Sequence, residues 1–326
     1  MTSPNEVDAP YLDGRVLRST GSWYDVALVE SGERIRARVR GKFRLEAEMF
    51  DETNPVAVGD EVMLLMGEDG TGMIMEIKPR FNKLTRRAAG RRSGREQVIV
   101  ANVDFAWCVQ SVYLPKFNSG FVDRFLTMAE VYDVPAGIII NKADLLDNER
   151  AEEVIGFWAE LYDSLEYPVL LTSTKDGSGI EALREMLAGR TSVLSGPSGV
   201  GKSTLLNTID PSLDLRTGEI SEKSKKGKHT TTFATLFPLF EGGFVVDTPG
   251  IREYGIWELE PAELGGYFVE MQPLVEMCHY PSCTHDHEPG CAVTDAVDDG
   301  RISPERYDSY LSILASLRAG TADRGR

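Results

Sequence analysis

No apolar run in the chain approaches the roughly 20 residues that a bilayer span requires. Its opening stretch, MTSPNEVDAPYLDG, is acidic and lacks an apolar secretory core. A membrane partner is therefore not expected, and the cytoplasm is the expected location. Cysteine is scarce, at four in 326 residues, too few for a disulfide scaffold. Positive charge is also short: 35 Lys and Arg stand against 51 Asp and Glu, a net charge of −16. That balance argues against a protein that coats nucleic acid through bulk electrostatics. Low-complexity tracts and internal repeats are missing, which argues against fibrous and solenoid architectures.

What is present reads as a multidomain globular protein. With 42% hydrophobic and 26% charged residues, the composition lies far from that of disordered chains, and the length is enough for two or three domains. Charge is unevenly spread. Tyr11 to Arg95 holds 16 basic and 13 acidic residues, whereas Glu258 to Arg326 holds 5 basic and 13 acidic. Contact with a polyanion is expected from the N-terminal part.

After a flexible tail over 1–10, residues 11–80 show short alternating runs separated by Gly-rich turns, the texture of a small β-barrel or sandwich, and five such strands fit a barrel of OB-fold type. Within it Arg34, Arg36, Arg38 and Arg40 alternate with Ile35, Ala37 and Val39, a period that puts the apolar set inward and four guanidinium groups on one face. Residues 81–96 read as a basic linker arm carrying Lys83, Arg86 and Arg87. From 97 to 256, buried apolar runs alternate with helical stretches, the mark of an α/β domain with a parallel sheet. Residues 257–326 hold a helical stretch expected over Pro261 to Met277, a Cys/His knot, and a helix begun by Ser303 with Pro304 in its first turn.

The stretch Gly196-Pro197-Ser198-Gly199-Val200-Gly201-Lys202-Ser203 follows an apolar strand and opens a helix through Thr204, as a phosphate loop does. Its backbone N–H groups converge on phosphate oxygens, Lys202 neutralises charge, and Ser203 offers a hydroxyl to Mg²⁺. Asp247-Thr-Pro-Gly250 lies about 45 residues on, at a strand end, where Asp247 suits Mg²⁺ and the Gly250 N–H the γ-phosphate. Asn141-Lys142-Ala143-Asp144 is a guanine-reading signature. Guanine presents N1–H and N2–H₂ side by side, and the Asp144 carboxylate accepts both, whereas adenine leaves it unmatched. Ser173-Thr174-Lys175 then supports guanine O6. GTP or GDP is the expected ligand. A small-molecule kinase would share the phosphate loop, but the guanine signature argues against it.

The order of these motifs, with 141 and 173 before 196 and 247, is permuted relative to ordinary GTPases. The segment after Gly250 therefore runs straight into the Cys/His region, so that loss of the γ-phosphate is expected to shift that region as a whole.

Cys278-x₄-Cys283-x-His285-x₅-Cys291 supplies three thiolates and an imidazole for one tetrahedral Zn²⁺ with a structural role. His279 and His287 compete for the imidazole position.

With the permuted order, the preceding barrel and the following knot, the chain resembles the ribosome small subunit-dependent GTPase A family, RsgA or YjeQ, over roughly Leu12 to Leu314. The resemblance implies an N-terminal OB-fold β-barrel, a circularly permuted α/β P-loop GTPase domain and a C-terminal α-helical zinc-binding domain, with His285 as the zinc ligand. It further implies a GTP hydrolase acting late in maturation of the small (30S) ribosomal subunit, and the expected mode is a grip on rRNA by the barrel and the zinc domain, with hydrolysis stimulated by that subunit. On the charge pattern, Arg34, Arg36, Arg38, Arg40, Lys83, Arg86 and Arg87 are the expected phosphate contacts. A monomer is expected, since no pairing surface is identifiable.

The mobile, Lys-rich stretch ending in His229-Thr230-Thr231-Thr232 reads as a switch, one of whose threonines closes on Mg²⁺; Thr231 is the central choice and spacing does not decide among the three. Ile251 stands where many GTPases carry a water-orienting Gln, so His229 is the candidate to position water beside Lys202. The alternative function is a non-catalytic RNA-binding zinc protein merely stabilised by nucleotide.

Overall fold

The computed structural model describes residues 11–39, 55–87, 96–215, 234–247 and 259–319; of Arg86, Arg87, Glu96 and Asp247 only the backbone is described. Arg40, His229, Thr230, Thr231, Thr232, Gly250 and Ile251 lie outside the described residues.

The alternating N-terminal runs form five strands: β1 (Leu12–Ser19), β2 (Tyr24–Leu28), β3 (Arg34–Val39), β4 (Glu61–Met66) and β5 (Gly72–Ile77). They pair in the cyclic order β1-β2-β3-β5-β4-β1, with β3 and β5 parallel and every other pair antiparallel. Closure removes the edges that a five-stranded sheet would otherwise expose. Val16, Val26, Ile35, Ala37, Val62, Leu64 and Ile74 fill the interior. On β3 the expected alternation holds: Ile35 and Ala37 are buried while Arg34, Arg36 and Arg38 are exposed.

The segment expected to be a linker arm is structured at its start. Residues Lys83–Arg87 form β6, which pairs antiparallel with β7 (Glu96–Ala101). The reason lies in the apolar positions: Leu84 on β6 and Val98 and Val100 on β7 are all buried. The basic side chains hid this pattern in the sequence.

The α/β domain is a six-stranded sheet of β8 (Phe105–Ser111), β9 (Ala136–Asn141), β10 (Val169–Thr172), β11 (Thr191–Ser195), β12 (Thr235–Pro238) and β13 (Phe244–Asp247), in the order β10-β9-β8-β11-β13-β12. Only β12 runs antiparallel to its neighbour β13. Alternate residues serve opposite faces. Ala106, Cys108, Ile138 and Ile140 pack with Val122, Phe125 and Leu126 of α1 (Ser119–Val131) and with Ile155 and Tyr162 of α2 (Glu149–Ser164). Trp107, Val109 and Ile139 pack with Ile180, Leu183 and Leu187 of α3 (Ile180–Leu187) and with Leu205, Leu206 and Ile209 of α4 (Lys202–Ile209). Burial on both faces explains why these strands read as continuous apolar runs.

In the C-terminal region the expected helix over Pro261 to Met277 is replaced by a 3₁₀ turn at Leu264–Tyr267 and the single turn α5 (Gln272–Val275). Gly265, Gly266 and Pro273 account for the interruption, being the poorest residues for a helix interior. α6 (Ala292–Asp298) follows the knot, and α7 (Pro304–Arg318) packs against α1. Ser303 is the N-cap residue with Pro304 next, but its hydroxyl donates to Glu305 Oε2 at 2.6 Å and caps no backbone N–H. Among the described residues no helix is long and apolar enough to cross a membrane.

Candidate nucleotide site and zinc centre

The phosphate loop leaves β11 at Ser195 and enters α4 at Lys202. Gly196 and Gly201 have φ of 159° and 100°; a Cβ on Gly196 would stand 2.0 Å from Val109 O, and one on Gly201 2.5 Å from Asn141 Nδ2. Both positions therefore demand glycine, the first for contact with β8 and the second for contact with the base-reading motif. The Lys202 ammonium donates to Gly196 O at 2.7 Å and Pro197 O at 3.0 Å, so it is held over the loop that phosphates would occupy. Ser203 and Thr204 follow on the first turn of α4, and Ser198 and Gly199 are exposed at the loop's tip.

Motifs far apart in sequence meet at the strand ends. Asn141 Nδ2 donates to Val200 O at 2.8 Å, and Asn141 Oδ1 accepts from Thr172 Oγ1 at 3.1 Å, tying the base-reading motif to the phosphate loop and to β10. Lys142, in a left-handed conformation with φ of 62°, donates to Gly199 O at 2.7 Å and also to Leu114 O. The contact at Leu114, in the loop after β8, had no signal in the sequence.

Ala143 and Asp144 open a 3₁₀ turn at Ala143–Leu145. Asp144 Oδ1 accepts from Ser173 Oγ at 2.9 Å and Oδ2 pairs with Lys175 Nζ at 2.7 Å; that lysine and the serine hold the carboxyl below its usual range. Ser173 Oγ in turn accepts from the Lys175 N–H at 3.2 Å, which fixes the turn through Thr174. The lysine side chain is 73% exposed, so its displacement by a base carrying two N–H donors costs little. The arrangement suits a guanine at Asp144 and a polyphosphate at Lys202. The backbone of Asp247 ends β13 beside β11, the strand that leads into the phosphate loop.

The second site lies in the knot. Cys278, Cys283, His285 and Cys291 bring one ligand atom each to within 4.8 Å of one another. His285 Nδ1 stands 3.4 Å from Cys278 Sγ and 3.4 Å from Cys291 Sγ, and those two sulfurs are 3.9 Å apart. A tetrahedron with Zn–S near 2.3 Å has edges of about 3.8 Å, so the donor set fits Zn²⁺. His279 and His287 are exposed outside this cluster, so the geometry selects His285. Tyr307 and Tyr310 of α7 donate to His285 O and Thr284 O, each at 2.7 Å, and Arg318 reaches Asp286 at 2.7 Å and Thr284 Oγ1 at 2.8 Å. The knot is thereby pinned to one face of α7.

α7 is also bonded to the nucleotide domain. Arg306 donates to Asp123 of α1 at 2.6 Å and to both carboxylate oxygens of Glu270 at 2.7 and 3.0 Å, with its side chain 1% exposed. Tyr162 of α2 completes the cluster by donating to Asp123 at 2.8 Å.

Comparison with known proteins agrees with this architecture. The RsgA N-terminal domain model matches residues 13–74 and the RsgA GTPase model residues 77–257. A Bacteroides fragilis protein named "Small ribosomal subunit biogenesis GTPase RsgA" is 41% identical over 309 residues, covering 95% of this chain and 98% of that one. A Gemmatimonas aurantiaca protein of the same name is 42% identical, with coverage of 93% and 97%. The crystal structure of YjeQ from Thermotoga maritima superposes with a TM-score of 0.79 at 36% identity, covering 95% of this chain and 99% of that one. YloQ, described as a circularly permuted GTPase, gives 0.74 at 30% identity, with coverage of 97% and 98%. Two family models that together span most of the chain, and relatives above 40% identity matched over almost their whole length, show that the chain belongs to the RsgA GTPase family.

Proposed function

We propose that this chain is a GTP hydrolase that acts in maturation of the small ribosomal subunit, bound to its rRNA and released on hydrolysis. The observation that carries the reading is the clasp between Asn141 and Lys142 and the carbonyls of Val200 and Gly199, which ties the motif of the guanine-reading carboxylate to the phosphate loop. The names of the curated relatives supply the ribosomal context.

In this reading Asp144 selects guanine, Ser173, Thr174 and Lys175 support the base, and residues Gly196 to Thr204 hold the phosphates. Ser203, Asp247 and one of Thr230, Thr231 and Thr232, with Thr231 the central choice, would hold Mg²⁺, which would neutralise charge on the phosphates, and the Gly250 N–H would meet the γ-phosphate. Lys202 stabilises charge in the transition state and His229 positions the attacking water. Zinc at Cys278, Cys283, His285 and Cys291 is structural, because four protein ligands leave no open position.

The barrel side is the RNA-binding face, through Arg34, Arg36, Arg38, Arg40, Lys83, Arg86 and Arg87. The charge distribution supports this choice over the zinc domain. Residues 259–319 carry eleven carboxylates and no lysine, and their three arginines, Arg301, Arg306 and Arg318, each sit in an ion pair. A phosphate backbone would meet repulsion there. The same reading makes the protein a cytoplasmic monomer, which sedimentation velocity checks for the oligomeric state.

The test is GTP turnover by the zinc-loaded protein with and without small ribosomal subunits, with ATP and the large subunit as controls. Stimulation by the small subunit alone, abolished in Lys202→Ala, is the expected result. His229→Ala is expected to lower kcat on the order of 10²-fold with nucleotide affinity retained. A flat rate with every partner would favour the non-catalytic RNA-binding alternative.

A further inference from the structure

Two arginines of the barrel share one aromatic ring. Arg36 Cζ stands 4.7 Å and Arg38 Cζ 3.8 Å from the centroid of Trp23. Arg36 and Arg38 lie two apart on β3 and so project from the same face, and the register Tyr24↔Ala37 puts Trp23 beside Arg38 in the β2–β3 ladder. The backbone that carries the indole is held by a tight turn, in which the Thr20 N–H and hydroxyl both donate to Trp23 O, at 2.8 and 3.2 Å.

Such a pair of like charges calls for an anion. Among the described residues, no carboxylate lies within ion-pair distance of Arg34, Arg36 or Arg38. The nearest candidates are otherwise placed: Asp25 is the cross-strand partner of Arg36 without pairing with it, and Asp69 near Arg38 accepts from the Thr71 N–H and hydroxyl at 3.0 and 2.7 Å. The ring face attracts each guanidinium through its quadrupole and restricts its rotamers, while taking up none of its N–H donors in conventional hydrogen bonds. Bidentate phosphate recognition needs that fork, and ordering it before binding removes part of the entropic cost of association.

We propose that Trp23, Arg36 and Arg38 form a preassembled clamp for the phosphodiester backbone of single-stranded RNA, with the arginines making the contacts and Trp23 as the positioning residue. The strand 2–3 face is where barrels of this topology bind oligonucleotides, which fits the place of the clamp. Arg34, on the same face, extends the cationic row by one more position. This inference rests on the RNA-binding reading above and adds to it the residue that orders the contact.

The experiment compares Trp23→Phe with Trp23→Leu in the full-length, zinc-loaded protein. Both keep apolar bulk at the turn, but only Phe keeps an aromatic face. Binding of a fluorescent single-stranded RNA of about 12 nucleotides is followed by anisotropy over a salt series, with Tm as the check on folding. Trp23→Leu should weaken binding roughly tenfold and Trp23→Phe by no more than about threefold, with equal Tm. Arg36→Gln and Arg38→Gln should each lower the slope of log affinity against log salt by about 0.7. Equal affinities of the Leu and Phe variants would overturn the proposal. So would unchanged slopes in the Arg variants, or displacement of the RNA by a polyglutamate peptide of equal charge as readily as by unlabelled RNA. Small-subunit stimulation of GTP turnover, measured on the same wild-type sample, separates failure of the clamp from failure of the functional reading.

Discussion

Arg18 of the barrel and Thr235 of the nucleotide-binding sheet are register partners, and Thr235 pairs on its other side with Asp247. One row of backbone thus runs from the barrel strand β1 through β12 to the strand end that carries the Mg²⁺-binding carboxylate of the functional reading. β12 would otherwise be the open edge of the sheet, so β1 covers it. Arg15, on the same strand, reinforces the seam: it donates to Gly59 O at 3.4 Å and Asn102 O at 3.1 Å and lies 5.2 Å from the Phe244 ring. Arg15→Ala should lower stability by about 1–3 kcal/mol, measured by urea unfolding, because Asn102 O loses this donor at the seam while Gly59 O keeps only the Asn102 Nδ2 bond at 3.1 Å. An unchanged midpoint would mean that barrel and sheet are held by other contacts.

The Asp144 carboxylate sets the base preference. Asp144→Asn replaces an acceptor pair with one acceptor and one donor, which suits xanthine, whose C2 carries an oxygen, better than guanine. GTP affinity should fall on the order of 10³-fold or more while XTP binding appears, read by nucleotide titration. Retained GTP preference would move base reading away from Asp144.

Arg306 joins two carboxylates from separate parts of the chain, Asp123 on α1 and Glu270 before α5. Removing one partner of a buried ionic cluster leaves the others uncompensated. Arg306→Met should therefore cost about 3–5 kcal/mol, and adding Asp123→Asn should recover part of the loss. Additive losses in denaturant unfolding would show that the cluster does not act as a unit.

Zinc removal should open the knot without opening the sheet. Chelation is expected to release one Zn²⁺ per chain and to make Cys278, Cys283 and Cys291 reactive towards a thiol reagent. Cys108 stays protected, because it is buried within β8 and its thiol is pushed far above the usual range by burial. Four reactive thiols after chelation would indicate that the nucleotide domain unfolds with the knot.

Asp210 gives a pH signature. Burial alone would raise its pKa, but the Ser212 hydroxyl at 2.6 Å and the N–H groups of Phe240 and Ser212 at 2.8 and 2.9 Å outweigh it and lower the value. A depressed folded-state pKa stabilises the protein above the unfolded value of about 3.9, and the contribution disappears as pH falls through the folded value. Asp210→Asn should reduce stability at neutral pH and flatten the acid limb of the stability curve. Parallel curves for the two proteins would remove Asp210 from the acid response.

Much of the site is legible in the sequence. The phosphate loop, the base-reading motif and the Cys/His spacing are local patterns, because their chemistry requires particular residue types within a few positions of one another. The strands of the barrel followed from the period-2 runs, while its closure, through the pairing of β1 with β4, separates it from a sandwich only in the structure; β3 shows its arginines out and its apolar residues in, as that period demands. The pairing of β6 with β7 was obscured because Leu84 is one apolar residue among cations and its register partner is the distant Val100. Likewise the helix expected over Pro261 to Met277 was an apolar pattern overruled by Gly265, Gly266 and Pro273.

What the chain determined by itself was thus the inventory of parts and their chemistry. The tertiary structure alone decided which parts touch. Leu114 O meets Lys142, Asp123 meets Arg306 and Trp23 meets Arg38 across separations in the chain that carry no periodic signal. The physical reason is that a backbone carbonyl, a buried charge or a ring face acquires its partner only when strands and helices pack, and packing depends on the whole set of buried surfaces at once.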